Sequence, residues 1–110
     1  MIMNKKTLIE KLNLEKHIEG GYFRRTYQSQ VEINARPLLT SIYYMLTDEE
    51  PIGHFHRNQS DIMHYFHLGS PIVYLLITPE GQLEKYILGP DLSQGHLFQL
   101  LVKGGYQCYF

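Results

Sequence analysis

Apolar and polar positions along this chain follow a period of two far more often than a helical period. Thr40 to Leu46 (TSIYYML), Pro71 to Thr78, Gln82 to Leu88 and His96 to Val102 are rich in β-branched, aromatic and aliphatic residues. Runs of that kind, bounded by Gly, Pro, Asn and Asp, predict strands. Tyr22 to Ser29 alternates well enough to be another, and Tyr106 to Phe110 begins one more. Turns are expected at Asn34 to Pro37, at Pro79-Glu80-Gly81 and at Lys103-Gly104-Gly105, and Gly89-Pro90-Asp91 opens a loop closing at Gly95. Asn4 to Leu12 alone carries a helical stripe, with Leu8, Ile9 and Leu12 on one face and Lys5, Lys6, Glu10 and Lys11 on the other. Asn4 is placed to cap that helix and Asn13 to end it. Seven or eight short strands after one helix suggest a sandwich or barrel. No helix-length segment separates the strands, which argues against a parallel α/β sheet. The pattern fits a mainly β, antiparallel jelly roll.

Composition narrows this picture. At 110 residues the chain is expected to form a single domain over 1–110. Hydrophobic residues make up 44%, enough to argue against disorder. The net charge is −1 and no basic run occurs, so nothing favours nucleic acid or a membrane surface as partner. The one cysteine, Cys108, excludes an internal disulfide. No signal-peptide pattern and no apolar run near about 18 residues is present, and the expected location is the cytoplasm.

The chemistry concentrates in Gly53 to Gly69 (GHFHRNQSDIMHYFHLG), which holds four of the six histidines. In a strand, the spacing of His54 and His56 puts both imidazoles on one face. Asn58-Gln59-Ser60-Asp61 reads as a turn, and Met63 to His67 as a strand returning from it. A hairpin so built would gather imidazoles, Arg57 and Asp61 at one end of a sheet. His54 and His56 would then be neighbours whose charges oppose joint protonation.

Several ordered motifs carry a family resemblance. They are His17-Ile18-Glu19-Gly20-Gly21-Tyr22-Phe23, Thr40-Ser41-Ile42-Tyr43-Tyr44-Met45-Leu46, Phe55-His56-Arg57 with Ser60-Asp61, Phe66-His67-Leu68-Gly69, Leu88-Gly89-Pro90-Asp91 and Val102-Lys103-Gly104-Gly105. From His17 onward the chain resembles a family of small cupins of unknown function. That resemblance implies a cupin-like double-stranded β-helix with one short N-terminal helix, similar in shape to sugar-nucleotide epimerases. Family members usually continue for several strands beyond the position of Phe110. C-terminal strands are accordingly expected to be missing here, leaving a barrel edge exposed and favouring a homodimer.

The departures from the motif bear on metal and cofactors. The glutamate of the cupin motif falls on Ile62, its tryptophan on His64, the next histidine on Tyr65, and the last histidine ligand on Cys108. With His54 and His56 as the remaining imidazoles, a divalent metal is disfavoured and no cofactor is expected. The related epimerases use a histidine base and a tyrosine acid. By that resemblance His56 is the candidate base, oriented by Asp61 or Glu19, with Tyr44 or Tyr65 as acid. His54, Arg57, Ser60, His67, Glu19 and Arg24 are the candidate ligand-binding residues, suited to a sugar-like or carboxylate ligand. The expected function is small-molecule binding with epimerase- or isomerase-type chemistry. The alternative is a non-catalytic binding module or a degenerate cupin.

The protein purified without added metal is expected to carry well below one transition-metal ion per chain. Elemental analysis checks this. Near-stoichiometric iron, nickel, manganese or zinc that is lost in a His54→Ala/His56→Ala double variant would contradict it.

Overall fold

A computed structural model of the chain describes residues 4–110. It resolves into two compact units, one running to Ile52 and the other from Gly53 to Phe110.

The first unit opens with α1 (Lys5–Lys11). The Asn4 side chain accepts from the Thr7 N–H at 2.9 Å, satisfying one of the amides that a helix start leaves unpaired. Asn13 follows with φ of 53°, a left-handed conformation that asparagine tolerates at a helix end. The chain then forms β1 (Glu15–Lys16), β2 (Tyr22–Gln28), β3 (Glu32–Ile33), β4 (Arg36–Pro37) and β5 (Thr40–Met45). Strand β2 lies between β1 and β5, antiparallel to both. Between β1 and β2, His17 to Gly21 makes a tight turn in which the His17 N–H donates to the Gly21 carbonyl at 2.8 Å. Strands β3 and β4 form a small hairpin around Asn34 and Ala35, both at positive φ.

The second unit contains β6 (His56–Arg57), β7 (Ile62–Tyr65), β8 (Ile72–Ile77), β9 (Leu83–Leu88), β10 (Gln99–Val102) and β11 (Gln107–Tyr109). Its larger sheet has the order β6-β11-β8-β9, and β7 pairs with β10 alone. Strands β8 and β9 form the expected hairpin around Pro79-Glu80-Gly81. The anticipated strand from His96 begins late. Leu97 makes only a single parallel bridge to Leu88, and the regular ladder starts at Gln99. Burial alternates along β10 and β11 in the period-two manner, with Leu100, Val102 and Cys108 inside.

The histidine hairpin does not form. Strand β6 pairs with β11, through Arg57↔Gln107 and His56↔Cys108, whereas β7 pairs with β10. The intervening loop crosses from one sheet to the other instead of folding back. Two long-range contacts hold it there: the Gly105 N–H donates to the Asn58 carbonyl at 2.9 Å, and the Gly104 N–H donates to the Asp61 carboxylate at 2.9 Å. Gly104 lies so close to the Gln59 carbonyl that an added Cβ would collide with backbone.

Gly104→Ala is therefore expected to destabilise the protein by at least about 2 kcal/mol, because neither backbone segment can yield without breaking these bonds. Urea unfolding followed by circular dichroism checks this. A midpoint equal to wild type would show the approach to be harmless.

Candidate functional site

Strand alternation decides which side chains of the second unit face inward. Along β7, Ile62 and His64 are half-buried while Met63 and Tyr65 are exposed. Along β8, Tyr74 and Leu76 are buried. Strand β11 puts Cys108 between His56 on one side and Leu76 on the other. The result is a cluster of His56, His64, Tyr74, Cys108 and Phe110, with Leu76 beside Cys108 and Leu100 beside His64 in the ladders.

The cluster is tightly ordered by its rings. The Tyr74 hydroxyl and His64 Nδ1 share a hydrogen bond of 2.8 Å, and the two rings meet edge-on with centroids 5.1 Å apart. Phe110 stacks on Tyr74 at 4.8 Å and 18°. It meets His56 at 6.0 Å and 81°, and His64 at 6.0 Å and 76°. His56 Nδ1 lies 2.8 Å from the His54 carbonyl. A carbonyl oxygen can only accept, so Nδ1 of His56 carries the proton, and in the neutral ring Nε2 is the acceptor.

The two imidazoles sit in unequal environments. Burial, reinforced by the charge of nearby His56, pushes the His64 pKa down to about 4. His64 is thus neutral at pH 7. Burial also pushes the Cys108 thiol up to about 12, so it remains protonated and packs as a small apolar group.

The residues singled out from sequence divide between the units. In the second unit, His56 is half-buried in the cluster, while His54, Arg57, Ser60 and His67 are exposed. His54 lies outside any strand, and the imidazole whose charge acts on His64 is that of His56. The Asp61 carboxylate is engaged by the Gly104 amide. Tyr65 is exposed.

Glu19, Arg24 and Tyr44 belong to the first unit. The Glu19 N–H donates to His17 Nδ1 at 3.0 Å. Tyr44 donates to the Gly20 carbonyl, and His17 meets its ring edge-on at 5.6 Å. Arg24 Nε donates to the Leu12 carbonyl at 2.6 Å, serving the orphan acceptors at the end of α1, and its guanidinium lies 5.9 Å from the centroid of the Tyr43 ring. Among the described residues, no three His, Cys, Asp or Glu side chains are grouped to hold a metal ion.

Residues 6–108 match the family model described as Cupin superfamily (DUF985). The chain belongs to this cupin family. It is 36% identical over 113 aligned positions to the uncharacterized protein YML079W of Saccharomyces cerevisiae, with 89% of the chain covered. The cupin chain spans 56% of that relative's length. Protein SO0799 from Shewanella oneidensis has a similar solved structure, with TM-score 0.92 and 39% identity over 98% of this chain and 68% of its own. A hypothetical protein from Leishmania major matches with TM-score 0.90 and 25% identity over 97% of this chain and 69% of its own. The fold is accordingly the mainly β cupin fold with one short helix.

Sequence reasoning missed His64 and Tyr74 as members of the cluster. His64 had a visible signal, since it shares strand parity with Ile62, the position of the cupin motif's carboxylate. Tyr74 had none, because it lies within an apolar run whose inward face only the ladder defines.

Linkage gives the sign of a pH effect. His64 binds a proton near pH 6.5 when unfolded but only near pH 4 when folded. The unfolded state therefore binds more protons between those values. Stability is full above pH 6.5 and falls as the pH drops towards 4, by up to about 1.4 kcal/mol per pH unit. Urea titrations across this range should show that slope flattened in His64→Gln. A His64 ring that titrates near 6.5 by NMR would contradict the assignment.

Proposed function

We propose that this cupin binds a small polar ligand, sugar-like or carboxylate-bearing, at the His56–His64 cluster, and performs acid–base chemistry of epimerase or isomerase type on it. The observation that carries this reading is the inequality of the two imidazoles. The two differ in what holds Nδ1: a tyrosine hydroxyl for His64 and a backbone carbonyl for His56. His64, neutral and bonded to Tyr74, serves as a fixed polar partner for the ligand. His56, with Nδ1 anchored on the His54 carbonyl, presents Nε2 as the proton-accepting atom.

The reading routes no step through a metal. The donor set does not fit one: Ile62 has no ligating atom, and among the described residues no three His, Cys, Asp or Glu side chains are grouped to hold an ion.

A non-catalytic binding module is the second reading, and one observation favours it. The groups expected to orient the base and supply the acid are engaged with backbone: Asp61 with the Gly104 amide, and Tyr44 with the Gly20 carbonyl.

Incubation in D2O with a panel of nucleoside-diphosphate hexoses, ketohexoses and 2-hydroxy acids separates the two. Proton NMR should show loss of a carbon-bound proton from at least one compound. His56→Asn should slow that exchange by about 10²-fold or more. A panel member that shifts protein amide signals yet exchanges no proton would leave the binding module as the function.

A further inference from the structure

We propose that Phe110 is the positioning residue of the imidazole pair, and that Gly53 is the residue that lets it act. This rests on the site reading above, but not on any chemistry being performed there. Phe110 touches every ring of the cluster: flat against Tyr74 at 4.8 Å, and edge-on to His56 and His64 at the same centroid distance of 6.0 Å. An aromatic ring in that place fills the space between two groups that would otherwise approach, and offers each a defined edge geometry. Burial is the main reason the His64 ring stays neutral, and Phe110 is one of the rings packed against it.

The backbone fixes Phe110 through Gly53. The Gly53 N–H donates to the Phe110 carbonyl at 2.5 Å, and the Phe110 N–H donates to the Gly53 carbonyl at 3.0 Å. This reciprocal pair continues the ladder of β6 and β11 past their ends. The same approach leaves no room for a side chain at position 53. A Cβ there would lie 2.8 Å from both Cε2 and Cζ of Phe110, well inside contact distance. Gly53 is not needed for its backbone angles, because its φ lies outside the left-handed region. It is needed for the seat of the ring.

Among the described residues, the titratable groups that act on His64 are His56 on β6 and Tyr74 on β8, with Cys108 on β11 across from His56; on β10 the partner in register is Leu100. Unseating the phenyl ring is therefore read mainly as solvent reaching His64.

The test is an NMR titration of the histidine rings in Phe110→Leu and in Gly53→Ala, both in the full chain. Phe110→Leu removes the ring; Gly53→Ala keeps it and displaces it. In both, the His64 pKa should rise from about 4 to above about 5 as water enters, and the ring signals of His56 and His64 should move as the ring current of Phe110 is lost or displaced. If Phe110→Leu fails to fold, Gly53→Ala is read alone. A folded Gly53→Ala whose His64 titrates as in wild type would overturn the proposal. Neither readout needs a substrate. Wild-type protein that exchanges no substrate proton but shows these shifts would refute the acid–base reading while leaving the positioning role intact.

Discussion

Two hydrogen bonds between Gly53 and Phe110 carry more of this structure than their number suggests. They extend a short ladder in which β6 contributes only His56 and Arg57. A two-residue strand has little pairing energy of its own, and its place in the sheet depends on what holds its ends. On one side the glycine–phenylalanine pair fixes the chain before His54. On the other the Asn58 carbonyl and the Asp61 carboxylate accept from the Gly105 and Gly104 amides. Between these anchors His56 is delivered beside Cys108 and into the ring cluster.

The electrostatics follow from that placement. An imidazolium in apolar surroundings loses hydration that a hydroxyl and aromatic edges do not replace. His64 is accordingly neutral at pH 7, and two imidazoles can lie near one another without mutual repulsion. The buried thiol of Cys108 behaves in the same way, staying uncharged where a thiolate would be costly. Ile62 carries no titratable atom, and burial keeps both His64 and Cys108 uncharged in this cluster.

The fold was largely legible in the sequence because its signals are local. Period-two runs, glycine–proline turns and the Asn4 cap each act within a few residues, and the longer strands β2, β5, β8 and β9 appear where those patterns place them. The failures concern contacts distant in sequence. The spacing of His54 and His56, followed by Asn58 to Asp61, resembles a hairpin at every local level. What removes the hairpin is β11, fifty residues away in sequence order, which takes the ladder of β6. The same cause hid Tyr74, whose inward direction is a property of the register with β9 and β11. Arg24 illustrates the converse. A guanidinium reads as a ligand clamp in sequence, yet here it braces the end of α1, because helix-end carbonyls compete for donors.

The central claim is that backbone contacts fix the Nδ1 proton of His56 on the His54 carbonyl while ring packing holds His64 neutral. Two-dimensional ¹H–¹⁵N spectra of the histidine side chains at pH 8 read this directly, because nitrogen shifts distinguish the tautomers. The account predicts His56 with its proton on Nδ1, held by the His54 carbonyl, and a His64 pattern that stays neutral and unchanged as the pH is lowered to 6. Rapidly averaging tautomers for both rings, with His64 becoming protonated by pH 6, would contradict it.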